Sequence, residues 1–280
     1  STTSAVATLE INGSMKQGLV GWWKFDETNG TVAHDSSGND NNGSLQGGAA
    51  WAQGKFGGAL SFDGTGDWVD IGNDASLNIT GPITVSTWIY PRDYRYGVIV
   101  QKGSASSYTW SYKWRISSDD LYFNFYDSSS NSHTMDFTPK PNLNVWSNVV
   151  ATYDGSRGEV YHDGDNLDSF DSVFTYGNAS HSIIIGAKPT GEECFNGLVD
   201  DVRIYDRALS AAEVQALYSL GSGNAPTITS GGGTIPADSV TLEKLSPQVR
   251  TDLNATITRS RIAADVLADI NATISRSRLA

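Results

Sequence analysis

From Gly21 to about Tyr218 the chain runs in short apolar or alternating stretches punctuated by Gly, Asp, Asn and Ser. That is the pattern of an all-β protein rather than the 3.6-residue period of helices. Strands are predicted at residues 59–62, 68–71, 83–89, 98–101, 108–116, 121–126, 145–153, 158–162, 182–185 and 197–205. So many strands need two packed sheets or a barrel. Asp63-Gly64, Asp154-Gly155 and Asp163-Gly164 lie between them, and each is predicted to make a tight hairpin turn, because Gly supplies the positive φ such turns require. After the last strand, Ser210 stands three residues before Glu213, a capping box that predicts a short closing helix ending near residues 220–221.

The segment that follows has the composition of a flexible linker, with Gly223, Pro226 and Gly231-Gly232-Gly233. Beyond it the run from Asp252 to Ala263 recurs from Asp269 to Ala280, a period of 17. Within each unit apolar residues fall four apart: Val249, Leu253 and Ile257, then Val266, Ile270 and Ile274. They mark one face of a short helix, which buries too little to be stable alone. Stacking against a neighbouring chain as a stalk, or against the next repeat, would cover that face. The expected organisation is therefore an N-terminal extension at 1–17, a β domain at 18–221, a linker at 222–236 and a helical repeat tail at 237–280. The end of the sequence at the close of a unit suggests an array that continues.

Charge narrows the class of partner. The net charge is -12, and it belongs to the β domain, where 13 Lys and Arg face 26 Asp and Glu. Nucleic acid is excluded as the main ligand, since phosphate binding rests on clustered cations. No run is long and apolar enough to insert in a membrane, and the N-terminus lacks a signal-peptide pattern. A single cysteine, Cys194, offers no internal disulfide and is expected to be a buried thiol.

Six blocks, in order, carry a family resemblance. They are Gly21-Trp22-Trp23-Lys24-Phe25-Asp26-Glu27, Asp35-Ser36-Ser37-Gly38-Asn39, Ala59-Leu60-Ser61-Phe62-Asp63-Gly64 with Trp68-Val69-Asp70-Ile71, Thr84 to Ile89, Trp146 to Gly155, and Gly197 to Ser210. The chain from about 18 to 220 resembles the laminin G-like, pentraxin-related branch of the concanavalin A-like lectin/glucanase superfamily. The resemblance implies an all-β, two-sheet antiparallel jelly-roll sandwich, here followed by a Gly-rich linker and a short helical repeat tail. It also implies a structural Ca²⁺ between the first and last strands, which maps onto Asp26 and Asp200. The loop 35–43 would complete the shell, through Asp35 and Asn41 among its oxygen groups.

Enzymatic chemistry is not expected. Glycosidases need two carboxylates facing one another across the bond, and the strand pattern Glu-x-Asp-x-(x)-Glu does not occur. The four histidines, His34, His133, His162 and His181, lie in unlike contexts and no metalloprotease, dinucleotide or phosphate-loop motif is present. Binding chemistry is better represented. Arg92, Arg95, Lys102, Lys113 and Arg115 fall within 24 positions holding one acid, Asp93. Alternation places Tyr108, Trp110, Tyr112 and Trp114 on one strand face, expected to be core, with Lys113 and Arg115 on the other. On the next strand Tyr122, Asn124 and Tyr126 face outward with them, as rings and amides suited to sugar.

Arg92, Tyr94, Arg95, Lys113, Arg115, Tyr122, Asn124 and Tyr126 are thus the expected ligand-binding set. The expected function is a non-catalytic carbohydrate-binding module of a larger secreted or cell-surface protein, taking an acidic, sulfated or neutral polysaccharide. The alternative is a structural or adhesive head on an oligomeric stalk or extracellular filament, a homo-oligomer made through the tail.

Overall fold

A computed structural model describes residues 13–104, 110–118, 120–176 and 180–222. The chain divides into two units, 1–226 and 227–280, and all the described residues lie in the first. The predicted linker and repeat tail lie outside the described residues, apart from Ser222.

A single helical turn, α1 (Gly13–Lys16), leads into sixteen strands and a closing helix. The strands are β1 (Leu19–Trp23), β2 (Val32–Ala33), β3 (Gly43–Gln46), β4 (Ala50–Phe56), β5 (Gly58–Asp63), β6 (Trp68–Gly72), β7 (Ile83–Pro91) and β8 (Gly97–Gly103). Then come β9 (Trp110–Ile116), β10 (Leu121–Tyr126), β11 (Ser132–Phe137), β12 (Ser147–Tyr153), β13 (Arg157–His162), β14 (Asp165–Asp171), β15 (Ile183–Ile185) and β16 (Asn196–Tyr205), followed by α2 (Ala211–Ser222). They form two antiparallel sheets of a jelly-roll sandwich. One runs β14-β13-β12-β7-β16-β5-β4, with β1 also on β16, and the other β11-β10-β9-β8-β15-β6-β3-β2.

Each predicted strand coincides with one of these, but six strands were not legible: β1, β2, β3, β4, β11 and β14. Two of them have a plain physical reason. In β1 every residue is buried, so it lacks the alternation of a half-exposed strand; β14 is a mostly polar edge strand with no fully buried residue, its Leu167 and Phe170 only partly covered. The turn assignments split as well. Asp163 and Gly164 have φ of 52° and 88° and join β13 to β14 as a two-residue hairpin, and Asp154-Gly155 turns β12 into β13. Asp63-Gly64 instead carries the chain from one sheet to the other, β5 to β6, and is not a hairpin.

Between the sheets lies one core that includes Trp23, Phe62, Trp88's neighbours Val85 and Ile89, Trp114, Phe123, Phe125 and Tyr153. The face of the first sheet turned away from it is covered by α2 and the residues leading into it, through Leu209, Val214 and Leu217 packed on Trp22, Val150, Tyr161 and Tyr205. Met15 of α1 joins the same cluster, so the predicted N-terminal extension contributes to the domain's packing. Tyr218 stacks on Trp88 at 5.9 Å between ring centroids.

The capping box that starts α2 is formed as expected. Ser210 N donates to Glu213 Oε2 at 2.9 Å, and Glu213 N donates back to Ser210 Oγ at 3.4 Å. Arg207 forks onto the same carboxylate at 2.8 and 3.0 Å. Those guanidinium bonds, helped by Ser210 and opposed by partial burial, hold Glu213 down to about 2 from an ordinary 4.5. Its stabilising effect is therefore complete above pH 4.5 and is lost as the pH falls from there to about 2. Glu213→Gln is expected to remove on the order of 1–2 kcal/mol from the stability difference between pH 6 and pH 2.5, after discounting for solvent screening. Urea unfolding at both pH values checks this, and an unaltered difference would count against the pair.

Candidate functional site

The second sheet leaves part of its outer face uncovered by helix, and the strand registers fix which side chains meet there. One row runs Ile184, Gln101, Lys113, Asn124 and Thr134 across β15, β8, β9, β10 and β11. The neighbouring row runs Val98, Arg115, Tyr122 and Asp136 across β8, β9, β10 and β11. Trp114 and Tyr112 point the other way into the core, as alternation predicted; Tyr108 lies outside the described residues.

The outward set, however, is not uniformly exposed. Lys113 is 3% exposed, Asn124 1% and Tyr126 8%, a correction to the expectation of an open polar face. Part of the cover is the segment from Gly186 to Phe195, which folds over the edge of β8. Its backbone pairs there through Val98 N on Glu193 O at 2.8 Å, and Gly186 N on Ile99 O at 2.9 Å. Burial pulls the Lys113 ammonium below the usual lysine range, against the opposing pull of Glu193. The same burial pushes the Tyr126 hydroxyl up to about 12.

The second row does reach solvent. Arg115 lies over the ring of Tyr122 at 4.9 Å and over that of Tyr96 at 5.6 Å, and its Nη1 donates to Tyr96 Oη at 2.9 Å. These three side chains, with Tyr94, Arg95, Ser117 and Ser118, line an open cleft of about 500 Å³. Tyr94 is fixed from behind, its hydroxyl donating to Pro141 O at 2.9 Å and its ring beneath the Lys140 ammonium at 3.9 Å. Arg95 pairs with Asp93 at 2.8 Å, and Asp93 also accepts from Asn196 at 2.6 Å.

Of the eight residues expected to bind ligand, Tyr94, Arg95, Arg115 and Tyr122 meet in this cleft. Arg92 does not; it is directed onto β5, donating to Phe62 O at 3.2 Å and to Ser61 Oγ at 3.1 Å. Sequence reading missed Tyr96 as a binding group, although it lies within the loop singled out, and missed Ser117, Ser118, Lys188 and Glu193. The last two come from a distant segment whose approach depends on the tertiary fold.

The carboxylates near the first and last strands form a separate locality. Asp200 is wholly buried; its Oδ2 accepts from Phe56 N at 2.9 Å, while its Oδ1 has no hydrogen-bond partner. Burial first, then the neighbouring Asp201 charge and that of Asp26, push its carboxyl up to about 9 against the backbone N–H groups of Phe56 and Lys55. Asp26 accepts from Gly58 N at 2.8 Å, so both carboxylates grip the β4–β5 turn. Close approach to Asp26 at Gly57, and to the Gly58 backbone and then Asp200 at Gly54, leaves no room for a Cβ at either position.

Asp201 is differently placed. The ladder shifts between Asp200 and Arg203, Asp201 takes φ 52°, and its carboxylate is bridged by Arg203 at 2.9 Å and by Trp22 Nε1 at 2.6 Å. Asp35 and Asn41 are drawn into other bonds. Asp35 accepts from Trp22 N, Ser37 N, Ser37 Oγ and Asn41 N, and Asn41 donates to Val20 O and Ser76 Oγ. They tie the loop 35–43 to β1. Among the described residues no three His, Cys, Asp or Glu side chains converge as a ready metal cluster. Cys194 is buried as expected, donating to Gly191 O.

A family model described as the Concanavalin A-like lectin/glucanases superfamily, of laminin G type, matches residues 63–215. The chain belongs to that superfamily. Among curated proteins, the adhesion G-protein coupled receptor V1 of Danio rerio is 27% identical over 175 residues, 58% of this chain and 3% of the receptor. Among solved structures, the binding domain of Paraclostridial Mosquitocidal Protein 1 is similar with a TM-score of 0.60 and 18% identity, over 73% of this chain and 52% of that one. Domain 4 of AbnA, a GH43 extracellular arabinanase of Geobacillus stearothermophilus solved with arabinotriose, gives 0.57 and 20%, over 71% of this chain and 98% of that domain. At such identities the structural likenesses establish the jelly-roll fold. This superfamily member spans about half of the toxin binding domain and a small part of the receptor.

Proposed function

We propose that the domain is a non-catalytic glycan-binding module of a larger secreted or cell-surface protein, and that it binds a polysaccharide through the cleft of Arg95, Tyr96, Arg115 and Tyr122. The observation that carries this reading is the pre-set Arg115. Its guanidinium is held between two tyrosine rings at the floor of an open cleft whose other lining groups are hydroxyls and a second arginine. Aromatic faces offer apolar area to sugar rings, hydroxyls exchange hydrogen bonds with them, and an arginine fork suits carboxylate or sulfate. The arabinotriose-bound neighbour of the same fold is in keeping with this reading.

Among the described residues no carboxylate lines the cleft, which favours binding over hydrolysis. The similarity to an adhesion receptor favours a second reading, an adhesive head domain that would self-associate through its C-terminal tail. Light scattering of the full chain and of a chain ending at residue 222 separates the two. Loss of an oligomer on truncation would support the adhesive stalk.

A structural Ca²⁺ at Asp26 and Asp200 is part of the proposal. The fit rests on the buried Asp200 Oδ1, which has no partner, beside a second carboxylate and with no cation in ion-pair contact with either among the described residues. Hard oxygen donors of this kind suit Ca²⁺. The ion would neutralise a carboxyl that burial otherwise keeps protonated.

The function is tested by affinity electrophoresis of the full chain in gels holding neutral, uronic or sulfated polysaccharides, with Ca²⁺ or with EGTA. Retardation by at least one class is expected. Unretarded migration of folded protein in every gel would overturn the glycan reading.

A further inference from the structure

Beside the cleft, the buried row of the second sheet holds more charge and more unused hydrogen-bonding capacity than the fold alone requires. Lys113 Nζ lies 3.5 Å from Glu193 Oε2, and the Lys188 ammonium pairs with Glu193 Oε1. Arg115 stands two residues along the same strand face, near enough that its charge and that of Lys188 both bear on Lys113. Two cations, Lys113 and Lys188, therefore flank the Glu193 carboxylate, with Arg115 beside Lys113. On either side of Lys113 in the ladder, polar groups lack partners: Gln101, 0% exposed, has neither its side-chain oxygen nor its nitrogen hydrogen-bonded, and Asn124, 1% exposed, has its Oδ1 unpaired. Each such group is costly to bury, and a fold retains them where they serve a ligand, an ion or water.

We infer that the Glu193 carboxylate is an internal stand-in for a ligand anion, and that a carboxylate or sulfate of an acidic glycan replaces it between Lys113 and Lys188, on the Arg115 side of the cleft. This rests on the reading of the adjoining cleft as a glycan site. The backbone of the covering segment is pinned: Val98 N donates to Glu193 O at 2.8 Å, Lys188 N to Glu192 O at 2.9 Å and Phe195 N to Gly186 O at 2.8 Å. The Glu193 side chain is 26% exposed although its Oε2 is buried, and rotation about its own side-chain bonds would free the two lysines while the backbone bonds of the segment stay closed. Its backbone sits at φ 49°, a conformation uncommon outside Gly, Asn and Asp. A neutral glycan has nothing with which to replace the ion pair, so Glu193 sets a threshold that only acidic ligands pass.

The test uses calorimetric titration of the full chain with polygalacturonate and dextran sulfate oligosaccharides, and unmodified dextran as the neutral control. Glu193→Gln keeps the shape of the side chain and removes its charge, and its fold is checked by circular dichroism. It is expected to tighten binding of both polyanions about tenfold, an effect that shrinks at high salt, and to leave the response to dextran unchanged. Lys188→Met, which removes a cation and not the competitor, is expected to weaken polyanion binding by a similar factor.

Unchanged or weaker polyanion binding by Glu193→Gln, equal tightening toward dextran, or an unaffected Lys188→Met would overturn the inference. So would the absence of polyanion binding in all three proteins. In that last case a neutral glycan bound through Arg115 and Tyr122 would leave the wider functional reading standing.

Discussion

Chelation of Ca²⁺ by EGTA is expected to lower the midpoint of thermal unfolding by about 5–10 °C relative to protein in Ca²⁺ at a hundred times its dissociation constant. An ion bound only to the native state adds about 2.7 kcal/mol at that saturation, and one kcal/mol moves the midpoint of a domain this size by roughly 2–4 °C. Asp200→Asn is expected to abolish the difference. The substitution also separates the two ways in which the buried carboxyl escapes an uncompensated charge. Without an ion, Asp200 stays protonated up to about pH 9, and an amide of the same shape replaces it with little consequence. With an ion, the amide loses the charge that holds it. Equal midpoints with and without EGTA, unaffected by Asp200→Asn, would remove Ca²⁺ from the account.

The second large effect falls in the core. Trp114→Ala is expected to cost about 3–5 kcal/mol in urea unfolding, the range for emptying a fully buried aromatic site. The Trp114 ring is 0% exposed and sits between Phe123 at 4.6 Å and Phe137 at 5.0 Å between centroids, in edge-to-face contact with both. Arg115→Ala, one residue on, is expected to cost under about 1 kcal/mol because its guanidinium faces the cleft. A large loss from Arg115→Ala with a small one from Trp114→Ala would mean that the faces of β9 are assigned the wrong way round.

That contrast also marks what was legible in the sequence. The alternation of Tyr112 and Trp114 with Lys113 and Arg115 fixed which side of β9 is core, because a period of two needs no tertiary information. It could not tell that Lys113 and Asn124 are covered, since the cover includes a segment some eighty residues further on that carries Glu193. The capping box of α2 was local and appeared as expected.

Asp26 and Asp200 do share a locality, though their common partner is the β4–β5 turn, in a strand pair whose first member gave no alternating signal. Asp35 and Asn41 read as oxygen ligands by composition alone. Their hydrogen bonds to the backbone of β1 and of their own loop explain the same residue types in a different way. Arg92 looked like a member of a basic cluster because charge density along the chain does not say onto which sheet a side chain folds.

The central claim is that glycan binds in the cleft of Arg115 and Tyr122. Its most direct test is calorimetric titration of the wild type and of the Arg115→Ala/Tyr122→Ala double variant with whichever polysaccharide retards the protein. Loss of the cation and of the ring beneath it is expected to weaken binding at least tenfold while the far-ultraviolet spectrum is unchanged. Undiminished affinity in the folded double variant would place the glycan elsewhere on the domain and contradict the site.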